Sequence, residues 1–172
     1  LILDEKKVLV DTVKDYLFDR MLSRIENIID PADIDYIVSN LVEMDHSGSI
    51  PAILKYCPNA RIITSKMGEK GLRKHYGEDL DLVQVDSEET LDIGKRTLTF
   101  VHTPMVHWPD NMVTYLNEDK ILMSNDAFGQ HIASPERFDD QLEWGILREE
   151  AAKYYANIVL PYSPQVQKAL ES

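Results

Sequence analysis

The chain has 172 residues, with 18 Lys plus Arg against 30 Asp plus Glu, a net charge of −12. A chain that acidic repels a phosphate backbone and carries no basic patch to offset the repulsion, which excludes nucleic acid as a partner. No apolar run reaches the roughly 18 residues of a membrane span, and the 44% apolar and 28% charged fractions are those of an ordinary globular domain with a real core.

The chain opens on Leu1-Ile2-Leu3 without Met, reads as clipped at its front, and meets Asp4, Glu5, Lys6 and Lys7 too soon for a signal peptide. "LIL-DEKK-VLVDTV" predicts a hairpin. Residues 16–29 carry Leu17, Phe18, Met21, Leu22, Ile25, Ile28 and Ile29 at helical spacing, stopped by Asp30-Pro31. "IDYIVSN" (34–40) predicts a strand buried on both faces. "SIPAILKYC" predicts a helix, "RIITS" (61–65) a strand, and residues 66–76 a helix ending at Gly77. "DLVQV", "ETLDIG" and "RTLTFVHT" are three β runs, and "NMVTYLNEDKILMSND" is a hairpin turning at residues 117–120. From Leu142 to Leu170 the pattern is helical, broken at Pro161 and Pro164. The order βαβαβα, a β meander and then helices predicts an α/β layered sandwich. Cys57, the single cysteine, excludes an internal disulfide, suits a reducing cytoplasm and reads as a small buried hydrophobe.

Three strand ends carry ligand-type side chains: Glu43-x-Asp45-His46, His107 in "TPMVHWPDN", and Asp126 in "ILMSNDAFG". Ligand sites on α/β sheets gather at such ends. If residues 41–46 are extended, Leu41, Glu43 and Asp45 point to one side, and a tight turn lets His46 join them. Mixed carboxylate and imidazole ligands suit iron, manganese or zinc, and a carboxylate such as Asp126 can bridge two ions. The bland alternative makes Asp45 and His46 caps of the following helix. His75 reads as a solvated helix residue and His102 as structural. His131 lies near Asp126 in sequence and is a candidate to support the ligands, while Tyr154-Tyr155 read as core on spacing alone. No nucleophile elbow, phosphate-binding loop or dinucleotide fingerprint is present.

"SNLVEMDHSGSIP", "TPMVHWPDNMVTYL", "KILMSNDAFGQH" and "YYANIVLPYSPQV" resemble the metallo-β-lactamase-like diiron domain of the flavodiiron proteins, the A-type flavoproteins, over nearly the whole chain. The resemblance implies an αββα sandwich over residues 1–172, a fragment lacking first strands and a C-terminal part. It implies a non-haem diiron centre reducing O₂ to water or NO to N₂O. Glu43 and His107 would hold one iron, Asp45 and His46 the other, and Asp126 would bridge. Tyr154 falls where the family has a tyrosine near the substrate pocket. Electrons would come from FMN in a separate flavodoxin-like domain absent from this chain, fed by rubredoxin or a flavin or deazaflavin donor. The whole protein would be a cytoplasmic head-to-tail homodimer.

Three departures accompany the resemblance, one of them the flavodoxin-like domain and first strands that the chain lacks. Leu41 stands where the family has its first His ligand, and the chain ends at Ser172, before the family's late His. A zinc hydrolase of the same fold is the rival reading, although it would carry His where Glu43 stands. A degenerate, non-catalytic domain is the third, and the chain alone is expected to be inactive.

Overall fold

The computed structural model describes residues 1–171, arranged as two sheets with helices on the outer face of the first. The first sheet has the order β1 (Ile2–Leu3), β2 (Lys7–Val10), β3 (Tyr36–Val38), β4 (Arg61–Thr64) and β5 (Leu82–Gln84). β1 pairs antiparallel with β2, the predicted hairpin, and β2 to β5 run parallel. The second sheet is an antiparallel meander of β6 (Thr90–Asp92), β7 (Thr97–His102), β8 (Met112–Leu116) and β9 (Ile121–Met123).

Alternation along the parallel strands explains both cores. Leu9, Ile37 and Ile62 are paired neighbours across β2, β3 and β4. They pack with Leu22 and Ile25 of α1 (Phe18–Glu26) and Leu72 of α4 (Lys66–Tyr76). One residue along, Val38 and Ile63 point the other way and pack with Leu98, Phe100 and Met112 of the second sheet. A strand apolar at every position is what two buried faces require, and this fits the reading of residues 34–40, although the paired strand covers only Tyr36–Val38. Cys57 is fully buried, as expected, and burial pushes its thiol up to about 11.

The structure corrects the expectation of an extended segment through residues 41–46. Met44–Ser47 form a single helical turn, α2, with Glu43 as its N-cap, so Glu43 and Asp45 do not alternate along a strand. The next helix is also shorter than predicted: α3 spans Ile50–Ile53, with Pro51 in its first turn. Both turns are stabilised by burial of Ser47, Ile50 and Ile53 rather than by length. At the C-terminal end, α5 (Trp144–Tyr154) passes into a π-helical stretch at Tyr155–Val159, and α6 (Ser163–Leu170) follows with Pro164 in its first turn. Val106, Tyr154 and Val159 form a third small core that seats these helices on the β7–β8 loop. No helix of the described residues is long and apolar enough to cross a membrane.

Candidate metal centre

Four strand exits meet at one end of the two sheets: Asp11 after β2, residues 39–46 after β3, residues 103–111 between β7 and β8, and Asp126 after β9. Glu43, His107 and Asp126 each offer one ligand atom, and these atoms all lie within 4.8 Å of one another. Two donors that share an ion at about 2.1 Å each are at most about 4.2 Å apart, so a small side-chain adjustment closes this triad on one ion. Burial raises the Glu43 carboxyl above its usual range, with further contributions from the charges of Asp45 and Asp126. Carboxylates crowded in this way favour a cation between them.

Asp126 sits between two imidazoles. Its Oδ1 lies 3.2 Å from His46 Nε2 and its Oδ2 lies 3.6 Å from His107 Nε2. One oxygen toward each histidine is the disposition of a carboxylate able to serve two ions. The His46 bond holds the Asp126 carboxyl below the usual range against the effect of burial. Burial works against a charge on His46, but hydrogen bonds to Asp11 and Asp126 outweigh it and push the ring up to about 10.

Asp45 is brought less far. It is exposed and stands outside the triad, although its charge reaches Glu43. It lines, with Glu43, Lys14, His75 and Trp108, a surface cavity of about 480 Å³. Tyr154 is buried and its ring meets that of His107 edge-on at 6.3 Å. Burial, with the charges of Asp126, Glu43 and Asp45, pushes its hydroxyl up to about 12. His131, the candidate to support the ligands, lies further out. It is exposed, and its ring packs edge-on against Tyr154 at 5.3 Å rather than against a ligand. His75 is exposed and His102 bonds the Val85 carbonyl at 3.0 Å, both as predicted.

Two carboxylates of the site were absent from the sequence reading. Asp11 accepts from Asn40 N at 2.8 Å through Oδ1, and its Oδ2 faces His46 Nδ1 at 3.4 Å. Burial pushes the Asp11 carboxyl up, with His46 and Asn40 pulling the other way. Asp110 accepts from Val42 N at 2.7 Å, and burial raises it too. Asp11 follows the buried strand "KVLV", the same strand-end signal that marked Asp126. Leu41 is wholly buried and carries no donor atom.

The donor set is compatible with the diiron group that the resemblance implies. The triad supplies three donors for one ion. His46 and the second oxygen of Asp126 would offer a sparser set for another, with Asp45 exposed.

Residues 1–154 match the family model described as "ODP family beta lactamase". The chain is 44% identical over 172 residues to the nitric oxide reductase of Moorella thermoacetica, covering 99% of this chain and 43% of that protein. It is 46% identical to the rubredoxin-oxygen oxidoreductase of Megalodesulfovibrio gigas, over 100% of this chain and 43% of the relative. Among solved structures, rubredoxin oxygen:oxidoreductase from Desulfovibrio gigas superposes with a TM-score of 0.95 at 46% identity, over 99% of this chain and 43% of that one. The flavodiiron protein from Giardia intestinalis gives 0.92 at 40% identity, over 98% and 41%. The chain thus spans less than half the length of these relatives.

Proposed function

The chain belongs to the ODP family of β-lactamase-fold proteins, whose relatives here are flavodiiron proteins, and from that premise we propose that residues 1–172 form the diiron domain of an oxidoreductase that reduces O₂, NO or both. The observation that carries the reading is the position of Asp126, one oxygen toward His46 and the other toward His107. Iron held there would supply Lewis acidity and pass on to the diatomic molecule the electrons that the FMN domain delivers.

The chain's own residues do the rest. Glu43, His107 and Asp126 would hold one ion, and His46 with Asp126, joined by Asp45, would hold the other. Asp11 faces His46 Nδ1 and thereby directs Nε2 toward Asp126, which is how an outer carboxylate commonly fixes a ligating imidazole. Ligation by His46 requires that its Nε2 proton leave. Tyr154 keeps its proton on Oη through the neutral range, since its hydroxyl is pushed up to about 12, and with its ring beside His107 it would be a proton donor at this site. Two carboxylates against one imidazole in the triad favour iron or manganese over zinc.

Electrons reach this domain from FMN held by a flavodoxin-like domain elsewhere in the whole protein, which accepts them from rubredoxin or a flavin or deazaflavin donor. The whole protein is a cytoplasmic head-to-tail homodimer in this reading. The test is metal quantification on the anaerobically purified full-length protein, followed by O₂ and NO consumption with a reductant. Iron with consumption of either gas supports the reading. Zinc with thioesterase or lactamase turnover replaces it by the hydrolase alternative.

A further inference from the structure

Glu43 and His107 come from different sheets, on loops that carry no regular pairing up to the ligand. The His107 loop is closed on itself by Met105 N to Trp108 O at 2.7 Å, Thr103 N to Asn111 O at 2.9 Å and Asn111 N to Trp108 O at 3.2 Å. That closure fixes the loop's shape but not its distance from Glu43. Met112 N donates to the Asn40 carbonyl at 3.0 Å and so anchors the far end of the loop to the β3 exit, and Asp110 adds the tie that lies nearest to Glu43 in sequence. Its Oδ2 accepts from Val42 N, the amide one residue before Glu43, at 2.7 Å. Its carbonyl accepts from Ser65 Oγ at 2.9 Å, and Ser65 Oγ in turn accepts from Gly68 N at 3.0 Å as the N-cap of α4. Asp110 therefore joins the exits of β3 and β4 to the His107 loop. Asp110 and Val42 are 7% and 3% exposed, so water does not compete for the bond between them. Asp110 lies outside the Glu43, His107 and Asp126 group.

We propose that Asp110 is a positioning residue that sets the spacing of Glu43 and His107 through the Val42 amide, and so sets the affinity of the triad for its ion. The inference rests on the metal reading of the triad. It acts by geometry, because the acceptor oxygen must stand where Val42 N points. A rival account would have the buried carboxylate act by its charge, attracting the cation through space.

Two substitutions separate these accounts. Asp110→Asn keeps an acceptor oxygen at the same reach and removes the charge. Asp110→Glu keeps the charge and moves the acceptor by one methylene. Ser65→Ala removes the neighbouring tie and the α4 cap but leaves the Val42 bond, and so reports structural damage alone. The readouts are the apparent Kd for Fe(II), by anaerobic competition with a chromophoric chelator on the full chain, and the urea midpoint of each protein without metal.

Losing an outer partner of a metal ligand commonly weakens binding by about 10- to 100-fold. Asp110→Glu is expected to weaken Fe(II) binding by at least about tenfold, with Asp110→Asn within about threefold of the unaltered chain. Ser65→Ala is expected to lower the urea midpoint without moving the Kd. Should Asp110→Glu fail to fold, Asp110→Ala carries the same expectation. Unchanged affinity in the folded Glu or Ala variant overturns the inference, as does an Asn variant that falls as far as the Glu variant. Failure of the unaltered chain to bind Fe(II) overturns the metal reading itself, and the inference with it.

Discussion

His46 Nε2 stands 3.2 Å from Asp126 Oδ1, across 80 residues of chain, and this contact joins the exit of β3 to the exit of β9. Because Asp126 Oδ2 also faces His107, removing the Asp126 carboxylate would, in the proposed reading, take a donor from both ion positions at once. Asp126→Ala is expected to lower the metal content of both positions. Glu43→Gln is expected to weaken one of them, leaving the more weakly held ion largely as before. Iron per chain, measured after equilibration at a fixed free Fe(II), distinguishes the two. Equal losses in both variants would overturn the assignment of Asp126 as the shared ligand.

The His46 ring gives the metal-free protein a pH signature. Its folded pKa is raised from 6.5 to about 10, so the folded state holds the proton more tightly than the unfolded state. The associated stability is fully present below about pH 6.5 and is lost progressively as pH rises to about 10. Urea midpoints of the metal-free chain should therefore fall across that window, and His46→Gln should flatten the fall. Ion binding at His46 displaces the same proton, so Fe(II) titrations in buffers of different ionisation enthalpy should register proton release. A midpoint that rises from pH 7 to 10 would contradict the ion-pair geometry.

Gly129 lies against the Tyr154 ring. A Cβ at this position would fall 2.7 and 2.8 Å from Tyr154 Cε1 and Cε2. Gly129→Ala must push the ring away from its buried place beside His107, and overpacking of this kind costs about 1–3 kcal/mol. Chemical denaturation should show a loss in that range. In the full-length protein turnover should fall by more than metal content does, since no ligand is touched. Gly129→Ala with unchanged stability would mean that the ring has room to yield.

Much of the fold was readable from the sequence, because strands apolar at every position and helices with a single apolar stripe carry local signals. Lys66–Tyr76 is bounded as the sequence predicts, ending at Gly77, which adopts φ 98°, while the Ser65 cap at its start is a structural finding. Residues 41–46 were misread because one helical turn is too short for a period to register, and its stability comes from burying Ser47 and its neighbours. Glu43, His107 and Asp126 were legible as ionisable residues at strand ends. Asp110 was not, because its partner Val42 is 68 residues away and nothing in the local text distinguishes a buried aspartate from a turn residue. His131 misled through its closeness in sequence to Asp126, since the segment between them carries it to the surface.

Leu41 provides the sharpest test of the family correspondence. The resemblance places a histidine ligand at this position, and the chain has instead an aliphatic side chain with no exposure to solvent. An aliphatic group donates no lone pair, so the triad of Glu43, His107 and Asp126 has no fourth protein donor from this position. Leu41→His puts an imidazole into a site shaped for an apolar group. Without metal, a buried polar group lacking a partner costs about 1–3 kcal/mol, and the metal-free variant should melt below the unaltered chain. With Fe(II), the imidazole gains a partner, and the triad gains a ligand whose loss would cost at least as much as the 10- to 100-fold effect of an outer one. The expected result is a change of order: the variant is the less stable protein in chelator, and it shows the larger Fe(II)-induced rise in Tm. Iron content should also rise toward two per chain when the substitution is made in the full-length protein. If Leu41→His is destabilised equally with and without Fe(II), residue 41 does not face the ion, and the correspondence with the family's first histidine fails.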